Sequence, residues 1–212
     1  MQANELKPAP PGNLNPVPKP ATLLVTVAIC TRNRAPFLQR AIDSVLPQLT
    51  PESELLLVDN TSTDDTPQII ARAATQPQVR ALREDQLGIS AARNTALLNA
   101  DGKYVIYLDD DARAEPGWLQ AYENFFRAPP LGTIAVVGGA VFPDYAAAPP
   151  KWFDPGLYTY DLGEAPGQIH EHRGPWGCNI AYLRDAAIRA GTSREDFLDL
   201  IKSKHMQPQE LT

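Results

Sequence analysis

The sequence predicts an α/β fold built on a mainly parallel sheet flanked by helices. Two observations carry that expectation. Short β-branched, apolar runs alternate along the chain with segments whose apolar residues recur at helical spacing. Three of the runs end in polar clusters, namely Thr31-Arg32-Asn33-Arg34, Asp59-Asn60 and Asp109-Asp110-Asp111. In open parallel sheets ligands bind outside the carboxyl ends of the strands. The three clusters are therefore the candidate functional residues.

Residues 1–21 are rich in proline, which fixes φ and removes backbone donors, so an extended disordered tail is expected there. Residues 22–191 form the expected globular domain. Leu23–Cys30 (LLVTVAIC) reads as a buried strand. Pro36–Leu46 follows with apolar residues at Phe37, Leu38, Ala41, Ile42, Val45 and Leu46, a helical pattern with proline in its first turn. Glu54–Val58 reads as the second strand, Thr66–Ala74 as a helix capped by the Thr63–Thr66 cluster, and Val79–Arg83 as the third strand. Ser90–Ala100 reads as a helix with Ser90 as its N-cap. Lys103–Leu108, Pro116–Arg127 and Thr133–Val137 give a further strand, helix and strand. Residues 140–177 lose periodicity and hold many prolines and aromatic residues, which reads as a long loop with a short hairpin over the sheet's ligand edge. Asn179–Leu183 and Arg184–Ala190 read as a last strand and a short helix, with residues 192–212 as a terminal helix or a non-native end.

Composition excludes several classes. The 212 residues are 43% hydrophobic and 21% charged, an ordinary globular balance, with a net charge of -6. No basic run marks a nucleic-acid surface. No segment approaches the ~20 apolar residues of a membrane helix, and the start lacks the pattern of a signal peptide. The expectation is a cytoplasmic protein, with peripheral contact at a membrane left open. Cys30 and Cys178 are too far apart in sequence to define a disulfide framework or a zinc site.

The acidic triplet is the strongest chemical signal. Three adjacent carboxylates repel one another, and a fold that gathers them gains from a bound cation. Oxygen ligands favour Mg2+ or Mn2+, which would also hold a diphosphate. If strand geometry continued, Asp109 and Asp111 would share one side. Asp59 closes the second strand and suits either a hydrogen-bonding role toward a base or ribose, or a turn. Arg32 and Arg34 suit phosphate or the carboxylates. Arg93 opens the third helix and alone would read equally as a surface residue. The loop after the first strand has no glycine, which argues against a Rossmann fingerprint or a P-loop.

The order VAICTRNRAPFLQRAIDSVLPQ, LLLVDNTSTDDT, LGISAARNTALLNADGKYVIYLDDDA and PGWL resembles the family 2 glycosyltransferases along roughly residues 24–140. Pro175–Ala181 resembles the family's loop near the acceptor side. The resemblance implies a GT-A-like, Rossmann-like fold and inverting, metal-dependent transfer from a nucleoside diphosphate sugar to a hydroxyl acceptor on a glycan, lipid or other molecule. It implies that Thr31, Asp59 and Arg93 lie about the nucleotide base, that Asp109 and Asp110 lie by the ribose and donor sugar, and that Asp111 holds the cation. Arg34 joins the donor-binding set.

The chain departs from the pattern at the catalytic base. The family's Glu-Asp pair follows the last strand at a greater distance than Glu195-Asp196 does here, and Thr192 with Glu195 equally fits a helix capping box. Asp196 is the candidate base, and the expectation is a truncated C-terminal part. Three other readings remain: a nucleotide-sugar-binding protein of weak activity, a nucleotidyltransferase, which wants a Gly-rich basic loop, and a phosphoacceptor domain, which wants an acidic pair after the first strand.

Overall fold

A computed structural model describes residues 21–128, 134–145, 147–161, 163 and 174–190. Four parallel strands form the body of one sheet: β1 (Leu23–Thr31), β2 (Ser53–Asp59), β3 (Val79–Arg83) and β4 (Gly102–Leu108). β5 (Val136–Gly138) and β6 (Asn179–Leu183) complete it in the order β3-β2-β1-β4-β6-β5. β6 runs antiparallel to both β4 and β5. Its first residue, Asn179, therefore lies opposite Leu108 at the carboxyl end of β4.

Parallel neighbours need crossover connections, and helices supply them. They are α1 (Ala35–Val45), α2 (Thr66–Ala73) and α3 (Ile89–Asn99), followed by α4 (Trp118–Arg127) and α5 (Arg184–Ala190). Alternate strand positions divide the core between two faces. Val25, Val27, Ile29, Leu55, Leu57 and Ile106 pack with Leu38, Ile42, Ile70 and Leu119, so α1, α2 and α4 cover one side. Ala28, Leu56, Val58, Val105 and Tyr107 pack with Ala92, Ala96, Leu97 and Ile188, so α3 and α5 cover the other. This is the α/β, mainly parallel, GT-A-like sheet flanked by helices that the sequence predicts.

Several boundaries differ for identifiable reasons. Gly88 takes φ 132, and its N–H donates to Asn60 Oδ1 at 2.9 Å. The helix therefore begins at Ile89, and Ser90 lies inside its first turn rather than capping it. Gly117 takes φ 84 as the N-cap of α4, so that helix starts at Trp118 and not at Pro116. β5 is shifted toward the C-terminus from the predicted 133–137. In the loop region, where a short hairpin is expected, Val141 and Tyr160 form an isolated antiparallel bridge with hydrogen bonds of 2.7 and 2.8 Å.

The strand ends away from the polar clusters are closed by a buried network. Glu54 accepts from Thr26 Oγ1 at 2.7 Å, from the Asp101 N–H at 2.8 Å and from Arg80 at 2.9 Å. Gly102 sits against this network with its N–H on Thr26 Oγ1 at 2.8 Å. A Cβ at Gly102 would collide with the backbone of Val25 and Thr26, which no rotamer can relieve. Gly102→Ala is therefore expected to cost about 3 kcal/mol, the upper part of the range for overpacking. Urea denaturation checks it, and a loss below about 0.5 kcal/mol, the scatter of neutral surface changes, would show that the strands separate freely there.

Candidate functional site

The polar clusters meet along the carboxyl edge of β1, β2 and β4. The loops after β1 and β2 are laced together. Asn60 N–H donates to the Thr31 carbonyl at 2.9 Å, Asn33 N–H to Ser62 Oγ at 2.9 Å, and Thr63 N–H to Asn33 Oδ1 at 2.7 Å. Arg34 N–H donates to Thr66 Oγ1 at 3.1 Å and Ala35 N–H to Asp64 Oδ2 at 3.2 Å. Asn33 and Thr61 both hold positive φ, 55° and 58°. That conformation is tolerable for asparagine and costly for a β-branched threonine. The lacing explains why the second loop keeps it.

Asp64 also accepts the Thr66 N–H at 2.9 Å, so it caps α2 and tethers the start of α1 together. The Thr66 hydrogen bonds hold its carboxyl below the usual range. The capping role expected of the Thr63–Thr66 cluster therefore falls on Asp64.

Asp59 is fully buried. Its Oδ1 accepts the Ser62 N–H at 3.0 Å and its Oδ2 lies 3.3 Å from Arg83 Nη1. Arg83 in turn donates from Nε to Asp85 at 2.9 Å. A buried carboxylate survives only when paired and hydrogen-bonded, and Asp59 has both. Asn60 spans to the next loop, donating to the carbonyls of Glu84 and Gln86 at 2.9 and 2.7 Å. The β3–α3 loop is thus hung from the end of β2.

Arg93 is the buried cation of the edge, with 7% of its side chain exposed. Nη2 donates to Asp109 Oδ1 at 2.8 Å and to the Gly177 carbonyl at 3.0 Å. The guanidinium lies 5.3 Å from the Tyr107 ring centre, and the Tyr107 hydroxyl donates back to the Arg93 carbonyl at 2.8 Å. Arg93 therefore faces inward from α3, contrary to the surface alternative left open by its sequence position.

The acidic triplet does not continue β4. Ala112 N–H donates to the Asp109 carbonyl at 3.0 Å, closing a turn. This corrects the expectation that Asp109 and Asp111 share a side. Asp109 faces Arg93, while Asp110 and Asp111 face Arg34 at 3.9 and 3.3 Å. Burial raises the Asp110 carboxyl, and Asp111 and Asp109 raise it further, against the Thr31 hydroxyl and Arg34. That hydroxyl stands near Asp110 but forms no hydrogen bond of proper geometry, and it is buried. Cys178 lies nearby with its thiol pushed up to about 11, chiefly by burial, which favours the neutral form.

Thr31, Arg34, Asp110 and Asp111 thus form one group, Arg93 with Asp109 a second, and Asp59 a third, all on one edge. Asp196, with Thr192 and Glu195, lies outside the described residues. Three further positions take roles that the sequence does not assign to them. Arg83 reads as a strand end. Gly177 lends a carbonyl to Arg93, and a Cβ there would come within 3.1 Å of the guanidinium. Asn179 accepts from Trp118 Nε1 and Tyr122 Oη, both at 2.9 Å, and donates to the Ala140 carbonyl at 2.8 Å. It pins α4, the chain after β5 and the Trp176–Gly177 turn to one point.

Among the described residues no group of three His, Cys, Asp or Glu side chains is arranged to hold a metal ion by itself. Asp109 is committed to Arg93, whereas Asp111 is about half exposed and, among the described residues, paired with the equally exposed Arg34. A hard divalent cation bound through one or two carboxylates, water and substrate phosphates fits such a donor set. Among the described residues no helix is long and apolar enough to cross a membrane.

Residues 26–190 match the profile of Glycosyl transferase family 2. A glucosyl-dolichyl phosphate glucuronosyltransferase of Haloferax volcanii is 27% identical over 173 residues, 79% of this chain and 55% of that protein. Hyaluronan synthase of Pasteurella multocida is 30% identical over 142 residues, 66% of this chain and 14% of that protein. The chain thus spans about half or less of the length of these relatives. A mannosyltransferase of Pyrobaculum calidifontis, solved in complex with GDP-Man and Mn2+, is 31% identical over 60% of this chain and 39% of that one, with a TM-score of 0.48.

Proposed function

The chain belongs to glycosyl transferase family 2, and from that premise we propose that it binds a nucleoside diphosphate sugar at the carboxyl edge of β1, β2 and β4 and passes the sugar, with inversion, to a hydroxyl acceptor. The observation that carries this reading is the gathering of Thr31, Asp59, Arg93 and Asp109–Asp111 on that one edge.

The edge offers graded chemistry. Asp59 and Thr31 lie side by side at the ends of β1 and β2 and would receive the base. Asp59 is held rigid by Ser62 and Arg83, so its acceptor oxygens are oriented before the ligand arrives. Asp109 and Asp110 would face the ribose and donor sugar. Arg34 would donate its planar fork to the diphosphate. Asp111 would hold Mn2+ or Mg2+, which when bound offsets the charge developing on the departing diphosphate. The acceptor needs a base within hydrogen-bond reach, and Asp196 is the candidate. Because the related glucuronosyltransferase is named for glucosyl-dolichyl phosphate, a glycolipid is one acceptor to offer.

A ligand that binds only the folded chain raises the melting temperature by mass action. Among nucleoside diphosphates and their sugars at about 100 times Kd, one family of ligands should stabilise by about 2.7 kcal/mol in Mn2+, and the shift should shrink in EDTA. No stabilisation by any of them, with or without the cation, would overturn the reading. Release of nucleoside diphosphate with glycan or lipid acceptors, lost in Asp196→Asn, would place the base.

A further inference from the structure

Arg34 is anchored at its backbone and half exposed along its side chain. Its N–H is held by Thr66 Oγ1, and its carbonyl accepts the N–H groups of Phe37 and Leu38, both at 3.0 Å. The side chain is about half exposed and lies along Phe37, with the guanidinium carbon 5.4 Å from the ring centre. From there it reaches Asp111 at 3.3 Å and Asp110 at 3.9 Å. The guanidinium neutralises the same two carboxylates whose repulsion a divalent cation would relieve.

Two cations cannot share the Asp111 oxygens without repelling one another strongly at such distances. A diphosphate changes the balance, because its oxygens match the guanidinium fork in a bidentate pair. We propose that Arg34 is an internal counter-ion that disfavours a free divalent cation at Asp111 until a nucleoside diphosphate draws the guanidinium away. This rests on the reading of Asp111 as the cation's ligand. Cation and diphosphate then bind cooperatively, and by linkage each raises the affinity of the other by the same factor. The chain takes up its cation together with the donor, and free cation alone is held weakly.

The test is Mn2+ titration at low ionic strength, where exposed charges act most strongly, followed by loss of the free-ion electron paramagnetic resonance signal. Arg34→Ala and Arg34→Gln both remove the charge and leave the backbone anchors. Without nucleotide, each should bind Mn2+ about three- to tenfold more tightly than the unaltered chain, the worth of one or two exposed ion pairs. The enhancement of Mn2+ affinity by UDP or GDP should shrink by a similar factor. The gain should disappear in Arg34→Ala combined with Asp111→Asn. If both variants bind free Mn2+ as the unaltered chain does, while UDP or GDP still raises its affinity in all three, the counter-ion role is overturned and Asp111 keeps its own. If no form takes up Mn2+ even with either nucleotide, the reading of Asp111 falls and the proposal with it.

Discussion

Asp111→Asn is expected to weaken binding of a nucleoside diphosphate in Mn2+ by about a hundredfold, at least the upper end of what supporting residues of a metal site contribute. Asparagine keeps the size of the side chain and one oxygen dipole but removes the charge. Asp109 cannot substitute, because Arg93 engages it at 2.8 Å, and Asp110 is more buried than Asp111, with its carboxyl raised by that burial. Asp111 is about half exposed, so the variant should fold normally, within the ~0.5 kcal/mol scatter of surface changes. Titration calorimetry in Mn2+ and then in EDTA gives the answer. In EDTA the variant should bind no more weakly than the unaltered chain, since the cation that Asp111 supports is gone from both and Asp111 no longer holds Arg34. Equal affinity in Mn2+ would remove Asp111 from the cation site.

How far the sequence could be read follows from which interactions are local. The strands buried on both faces announce themselves as apolar runs, and α1 shows its buried face at Leu38, Ala41, Ile42 and Val45. The parallel order of β1 to β4 follows from the helices between them. The polar clusters were legible because a residue just past a strand end has nowhere to go but the sheet's edge. What pairs them was not. The turn closed by Ala112 on Asp109 sends successive carboxylates to different arginines, and no spacing rule announces it. Asn179 reads as the first residue of a strand. Its importance comes from β6 being reversed, which brings that residue to the ligand edge beside Leu108. Ser90 was a reasonable cap by residue type, but Gly88 can take φ 132 and donate its N–H to Asn60, 28 positions earlier. Arg83 pairs with Asp59 only because β2 and β3 are adjacent and in register at their ends.

Arg93→Ala should be the most damaging single change at the edge, for stability and ligand binding together. The side chain is nearly buried and satisfies three partners at once: Asp109, the Gly177 carbonyl and the Tyr107 ring. Removing one member of a buried pair costs more than the pair is worth, because the remaining groups stay desolvated. Asp109 is 40% exposed and recovers water, which lowers the cost. The Gly177 carbonyl loses its donor, and the Trp176–Gly177 turn loses its tie to α3. About 2–4 kcal/mol of folding stability should be lost on that balance. Arg93→Lys should recover less than half, because its ammonium ends one bond short of Nη2, the nitrogen that donates to both Asp109 and Gly177, and it lacks the planar face set against Tyr107. Adding Asp109→Asn to Arg93→Ala separates the terms. If the ion pair carries the effect, the second change should cost little once the first is present, and the cycle should show a coupling above about 0.5 kcal/mol, the level at which contacting residues depart from additivity. Nucleoside diphosphate binding should fall in Arg93→Ala even at temperatures where the variant is fully folded, since Asp109 is then free to turn away from the edge. Full stability with normal binding would return Arg93 to the surface-residue reading and leave Asp109 without a positioning partner.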